Sequence, residues 1–474
     1  MGEERRTSFF ERALGNLRGA WRDVATNSAR SVGRLPRELR SARDSKALRA
    51  LMASCLEARG GEVSARLRAA ELGEAYLELD RDGKRRFLEI LAREFAVDRE
   101  AVEDGVLAFR SAETSEARLA AEAELRAALL PPRVKLLTQF NALREGVKFL
   151  VDLRADLLPL VDEDPYLAAL EADLRDLLVS WFDVGFLDLD RVTWDSPASL
   201  LEKLIAYESV HEIRSWEDLH NRLDSDRRLY ALFHPRMPDE PLAFVEVALV
   251  QGLAGNIQAL LDELAPPEKP EDQDTAIFYS ISNSQKGLKR VNFGDYLIKR
   301  VVAQLSHDLP QIKTFATLSP LPGFAHWLEV ASAEELAPGI GEEERRKLRA
   351  LAGEDDLHAA LAALLSRPDW ARDKEVAGAL RLPIMRLCAR YLMTTRDDGR
   401  PIDSVARFHL KNGARMERIN WLGDTSASGM RRSFGLMANY RYLRDDIEKN
   451  HETYMATGKI ARSGELKTLL KAQR

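Results

Sequence analysis

The residues best suited to chemistry in this 474-residue chain lie between Thr275 and Phe324. Thr275-Ala-Ile-Phe-Tyr-Ser-Ile-Ser282 is short, β-branched and aromatic, the composition of a strand. Asn283-Ser-Gln-Lys-Gly-Leu-Lys-Arg290 breaks that pattern with small, basic and glycine residues. A helix is expected from Phe293, because Gly294, Leu297, Ile298, Val301, Val302 and Leu305 recur on one helical face. Pro310 closes the connection, and Lys313 to Leu318 reads as a second strand, stopped by Ser319-Pro-Leu-Pro-Gly-Phe324. A strand that feeds a glycine-containing loop and then a helix aims main-chain N–H groups outward, beside the positive end of the helix dipole. Lys286, Lys289 and Arg290 add full charges. That combination suits a pyrophosphate. If the second strand runs parallel to the first or splays from it, Ser319 stands at its C-terminal end, where ligands of open α/β sheets sit.

Each of these residues also has a plainer reading. A serine before proline is usually a turn or cap. A lone histidine on a helix, such as His409, is more often packed or at the surface, although imidazole can act as a general acid near neutral pH. Tyr442 taken alone reads as core. The three basic residues suit a solvated face, but their place before a helix favours phosphate. Glu208 and His211 stand at i, i+3, as a metal pair would on one helical face; with no third ligand nearby they read as a surface ion pair. Glu78 to Glu89 puts oxygens at positions 1, 3, 5 and 12 of a calcium-type loop, with Gly83 at 6, but begins on Glu and has Arg85 at position 8. A helix–turn–helix corner is the expected reading.

The elements that must position these groups fall into two parts. From Glu38 to about Leu187 nearly every window has helical period, with turns at Gly60-Gly61, Asp82-Gly83, Pro131-Pro132 and Asp164-Pro165. This is an antiparallel helical bundle suited to packing and self-association. Beyond it Leu229 to His234 and Ala243 to Leu249 read as an antiparallel hairpin leading into the sheet. Ala333 to Thr394 is helical again and reads as an insertion; within it Pro338-Gly-Ile-Gly341 follows no strand and is not a dinucleotide fingerprint. Ser404 to Gly413 is expected to be a helix ended by Asn412-Gly413, and Arg415 to Trp421 a strand.

Composition excludes several classes. With 45% hydrophobic and 31% charged residues the chain has the material for sizeable cores. No run of eighteen or more apolar residues predicts a membrane span. A net charge of −6 argues against nucleic acid as partner. Cys55 and Cys388 lie far apart without C-x-x-C spacing, which points away from disulfides and structural zinc and toward a reducing cytoplasm. Met1 to about Arg34 reads as a frayed helix or tail without a signal-peptide core, and its glutamates argue against a transit peptide.

Several blocks carry a family resemblance. Gln285-Lys-Gly-Leu, Leu297-Ile-Lys-Arg-Val-Val302 and Leu318-Ser-Pro-Leu-Pro-Gly-Phe324 resemble the catalytic domain of malonyl-CoA decarboxylases. So do His234-Pro-Arg-Met-Pro-Asp-Glu-Pro-Leu242, Asn256-Ile-Gln-Ala259, Phe408-His-Leu-Lys-Asn-Gly-Ala414, Ile419-Asn-Trp421 and Gly435-Leu-Met-Ala-Asn-Tyr-Arg-Tyr442. These blocks span most of the chain from about Leu187, in the family's order. The order of elements also resembles the GNAT acyltransferase superfamily, with two departures. The pyrophosphate loop lacks its usual second glycine or alanine, and His409 falls where a tyrosine general acid would be.

The resemblance implies an α+β multidomain chain: an N-terminal α-helical bundle over residues 1–187, contributing to a homodimer or homotetramer, then a GNAT-like mixed α/β domain over 188–474 with a helical insertion. It implies catalysis by Ser319 and His409, with Tyr442 at the reacting end, and a malonyl-CoA loop over Lys289, Arg290, Val291, Asn292, Phe293, Gly294 and Asp295. Some relatives have glutamate where this chain has Asn292, so no carboxylate role falls there; Asn292 can still orient Ser319 or the substrate through hydrogen bonds. The implied reaction releases carbon dioxide and acetyl-CoA. Its thioester is the electron sink, so it needs no metal, pyridoxal, biotin or other cofactor. The C-terminal Lys-Ala-Gln-Arg lacks the peroxisomal tripeptide of some eukaryotic relatives. An acyl-CoA transferase of the same fold would need an acidic or water-mediated base beside the thioester, and a silent CoA-binding scaffold would bind without turnover.

Overall fold

The structure, a computed structural model, describes residues 38, 39, 41–57, 61–291 and 294–471. Among the described residues eight α-helices come first: α1 (Ala42–Leu56), α2 (Gly61–Glu78), α3 (Arg81–Glu94), α4 (Arg99–Ser111), α5 (Ser115–Ala128), α6 (Pro132–Phe140), α7 (Gly146–Leu157) and α8 (Pro165–Trp181). Their starts are written in local chemistry. Asp80, Asp98, Thr114 and Asp164 each cap a helix by accepting a main-chain N–H. Asp80 accepts from Gly83 at 2.8 Å, and residues from Arg81 onward are helical. The calcium-type spacing is therefore spent on a helical corner, as its plainer reading expects, but the corner falls at Leu79-Asp80. Asp82-Gly83, expected as the turn, lies in the first turn of α3 because the Asp80 cap starts the helix earlier.

The sheet follows, and its outermost strand is one that the sequence did not announce, β1 (Asp188–Val192). After α9 (Ala198–Tyr207) and α10 (Trp216–Arg222) come the expected hairpin strands β2 (Arg227–Phe233) and β3 (Ala243–Val250), paired antiparallel. A short α11 (Ile257–Leu260) leads to β4 (Thr275–Asn283), antiparallel to β3. The register of that pair slips: Glu246 faces Ser280 while Val247 faces Phe278, so Tyr279 is the extra residue of a bulge.

Helix α12 (Gly294–Asp308) crosses over to β5 (Thr314–Thr317), which runs parallel to β4. Leu297, Ile298, Val301 and Leu305 are the buried face of this helix. Phe293, where the helix was expected to begin, lies outside the described residues, as does Asn292. A break at Leu318 gives a two-residue β6 (Ser319–Pro320). After α13 (Phe324–Val330), which the sequence reading did not include, the expected insertion is α14 (Ala333–Leu336), α15 (Glu342–Ala352), α16 (Leu357–Leu365) and α17 (Lys374–Met393). Next come α18 (Ser404–Lys411), β7 (Arg415–Asn420), α19 (Ala427–Ser433), β8 (Met437–Tyr442), α20 (Ile447–Thr457) and α21 (Gly464–Leu469).

Strand β8 had no strand expectation, yet it organises the end of the sheet. It pairs antiparallel with β5, β6 and β7, in the order β1-β2-β3-β4-β5-β8-β6. Strands β4 and β5 pair only over Thr275–Phe278 and Thr314–Thr317; past that point β4 runs on while β6 turns to β8. The two parallel strands thus part at their C-terminal ends. One continuous apolar cluster links the helical region (Leu48, Phe149, Val151) to one sheet face (Phe278, Phe315, Tyr442). Cys55 and Cys388 are buried free thiols. Among the described residues no helix is long and apolar enough to cross a membrane.

Candidate functional site

Ser319 and His409 come from segments ninety residues apart, and the fold brings them together where β4 and β5 separate. Ser319 Oγ lies 3.0 Å from His409 Nε2, and Tyr442 Oη lies 2.8 Å from Nδ1 of the same ring. The three side chains are 5%, 3% and 2% exposed. Helix α18 carries His409 inward because Ala406, His409 and Leu410 form its buried stripe. The helix is anchored at its start by Asp403, whose Oδ1 accepts from Ala406 N at 2.7 Å and whose Oδ2 accepts from Tyr391 Oη at 2.8 Å. It ends as expected at Asn412, with Gly413 at φ 80°.

Two residues that sequence reasoning left out complete the chain of hydrogen bonds. Ser319 Oγ donates to Thr317 Oγ1 at 2.8 Å, and Tyr440 N donates to the same oxygen at 3.1 Å. The Tyr440 ring stacks on His409, centroids 4.6 Å apart. Thr317 was findable by strand alternation, two before Ser319 on an expected strand; Tyr440, two before Tyr442, lies on β8, where no strand was expected. With its one proton directed at Thr317, Ser319 accepts from His409; the imidazole then carries its proton on Nε2 and accepts from Tyr442 at Nδ1. Burial alone pushes the His409 pKa down to about 3, so the ring is neutral at physiological pH.

The basic loop lies on the other side of the parting. Lys286, Lys289 and Arg290 are exposed, and Val291 is buried. Gly294 and Asp295 open α12. The glycine of the loop answers to packing: a β-carbon on Gly287 would overlap the Val151 carbonyl of α7. Glu208 and His211 require correction. Helix α9 ends at Tyr207, so the two do not share a helical face, and Glu208 is 2% exposed. Its carboxylate accepts from the main-chain N–H of Val210 (2.7 Å) and His211 (2.8 Å), from Ser280 Oγ (2.8 Å) and from Ser282 Oγ (3.0 Å). A buried anion satisfied by turn amides and hydroxyls takes the place of the surface ion pair.

A sheet parted between parallel strands, with a basic loop entering a helix on one strand and a buried hydroxyl–imidazole pair beyond the other, defines a GNAT-like domain behind a helical region. Comparison with known proteins goes further. Residues 185–474 match the malonyl-CoA decarboxylase C-terminal domain, and residues 95–182 the malonyl-CoA decarboxylase N-terminal domain. The mitochondrial malonyl-CoA decarboxylase of Anser anser anser is 39% identical over 412 residues, 84% of this chain and 82% of that protein. The Rattus norvegicus enzyme is 39% identical over 396 residues, 80% of each chain. The crystal structure of malonyl-CoA decarboxylase from Rhodopseudomonas palustris superposes with a TM-score of 0.79 at 41% identity, covering 90% of this chain and 99% of that one. That from Agrobacterium vitis gives 0.80 at 40% identity, covering 89% and 99%. The chain belongs to the malonyl-CoA decarboxylase family, a family of carboxy-lyases.

Proposed function

We propose that this protein decarboxylates malonyl-CoA to acetyl-CoA and carbon dioxide, with Ser319 and His409 as catalytic residues and Lys289 to Asp295 as the substrate loop. The observation that carries the site assignment is the buried 3.0 Å contact between Ser319 Oγ and His409 Nε2, backed by Tyr442 on the far side of the ring. Family membership supports the substrate.

Decarboxylation needs the carboxylate out of the thioester plane, so that the breaking C–C bond overlaps the carbonyl π system. Its electron pair then moves onto the thioester as an enolate. In a site this dry, a hydroxyl donor to the enolate oxygen acts with little competition from water. The α-carbon must next gain one proton. Ser319 Oγ–H supplies it and is refilled from Nε2–H, while Nδ1 takes the Tyr442 proton; solvent restores the chain. A neutral imidazole passes a proton in this way without ever becoming a cation.

The test is purified protein with malonyl-CoA and no added cofactor, following acetyl-CoA and carbon dioxide. Ser319→Ala and His409→Ala should each lower kcat by about a hundredfold to a thousandfold, the effect of losing one donor to developing charge. A folded variant with near-normal kcat would remove that residue from the mechanism.

We further propose the division at residues 187 and 188, with the helical part serving self-association as a dimer or tetramer. Leu107 and Leu119, on the α4–α5 hairpin, support this with 62% and 66% exposure. The animal relatives are named as mitochondrial. For this chain we propose the cytoplasm, where reducing conditions suit the buried free thiols of Cys55 and Cys388.

A further inference from the structure

Arg154 is fully buried on α7, in the helical region, yet its guanidinium reaches into the basic loop of the catalytic domain. Nη1 donates to the carbonyls of both Gly287 and Lys289, the latter at 3.0 Å, and Nη2 meets Glu171 Oε1 of α8 at 2.6 Å. The residues it holds form a tight turn: Val291 N donates to Leu288 O at 2.9 Å. Lys289 has φ −54° and ψ 128°, and Arg290 has φ 69°. This is a type II turn with arginine at the position that normally demands glycine. A left-handed conformation is strained for a non-glycine residue, whose β-carbon crowds the backbone. Flipping the central peptide to a type I turn would relieve Arg290, but it would also swing the Lys289 carbonyl away from Arg154.

We propose that Arg154 is a positioning residue for substrate binding: its grip on the Lys289 carbonyl selects the strained turn and presents the loop to the diphosphate of the substrate. The Lys289 carbonyl and the Arg290 N–H point in opposite directions across one planar trans peptide. Drawing the carbonyl toward α7 therefore turns that N–H to the exposed side, beside the side chains of Lys289 and Arg290. The close packing of Gly287 on the Val151 carbonyl fixes the same loop from below. The helical region thus contributes to the site without touching substrate. The inference rests on the reading of this loop as the diphosphate grip.

The experiment compares malonyl-CoA with malonyl-pantetheine, which has the same thioester and no diphosphate, on the full chain. Arg154→Lys and Arg154→Met should raise KM for malonyl-CoA about tenfold or more, with kcat within about threefold and kcat/KM for malonyl-pantetheine unchanged. Gly287→Ala, whose added β-carbon would meet the Val151 carbonyl and push the loop off α7, should give the same split. If Arg154→Met fails to fold, Arg154→Lys decides, because it keeps the charge facing Glu171 and loses the fork that holds two carbonyls. Equal losses on both substrates, or an unchanged KM for malonyl-CoA, would overturn the proposal. Lys289→Ala with Arg290→Ala separates the two levels. If that pair leaves KM for malonyl-CoA unchanged, the diphosphate reading itself falls; if it raises KM while the Arg154 variants do not, only the role of Arg154 falls.

Discussion

An imidazole sealed between Tyr440, Tyr442 and Ser319 cannot easily hold a charge, and this has a consequence for stability as well as for chemistry. In the folded protein burial holds the His409 pKa at about 3, whereas in the unfolded chain it returns to about 6.5. Between those values the unfolded state binds a proton that the folded state refuses. Stability therefore rises with pH across that window and is lost as pH falls below about 6.5. In His409→Leu that contribution should vanish, so unfolding free energy measured by denaturant between about pH 4 and 7 should fall less steeply than in the wild type. Parallel slopes would mean that the ring is not held neutral. The same burial means that an acid limb in kcat near pH 6 should not come from this histidine.

At the scale of elements, the site depends on how α18 and the β6 turn are held. Asp403 caps α18 and binds the hydroxyl of Tyr391 on α17, and that hydroxyl also crowds Gly323, where an added β-carbon would lie 2.5 Å from it. One carboxylate therefore ties the histidine helix to the helical insertion, which in turn braces the turn after Ser319. Asp403→Ala should cost about 1–2 kcal/mol from the lost cap, read as a lower melting temperature. It should also lower kcat more than it changes KM, because it shifts His409 relative to Ser319. Asp403→Asn keeps the capping oxygen and should recover most of the stability. A kcat unchanged in Asp403→Ala would show that α18 is held by its apolar stripe alone.

For the whole molecule, one apolar cluster joins the helical region to the sheet, so the two parts are not separable modules sharing a linker. Helices α4 and α5 contribute no residue to that cluster: Gly105 and Ala121 are the residues they bury, while Leu107 and Leu119 face outward. If this hairpin meets a second copy, Leu107→Lys with Leu119→Lys should lower the mass seen by sedimentation equilibrium at micromolar protein, leaving the circular dichroism spectrum intact. An unchanged mass would move the interface elsewhere.

Helical period fixed the N-terminal region, and β-branched alternation fixed β2, β3 and β4, because those signals are local. Asn412-Gly413 closed α18 for the same reason: a glycine at φ 80° is a property of one residue. The roles of Ser319, His409 and Tyr442 were readable through whole blocks of family resemblance; each residue alone read as cap, packing or core. Tertiary structure decided the rest. Strand β8 earns its place by pairing with three strands distant in sequence, which no window of alternation reveals. Glu208 looked like half of a surface pair until the fold buried it against hydroxyls some seventy residues away. Arg154 carried no signal, and Gly287 read only as the glycine of a phosphate loop, because their meaning is a contact between helix and loop more than 130 residues apart, and only chain folding brings such partners within reach.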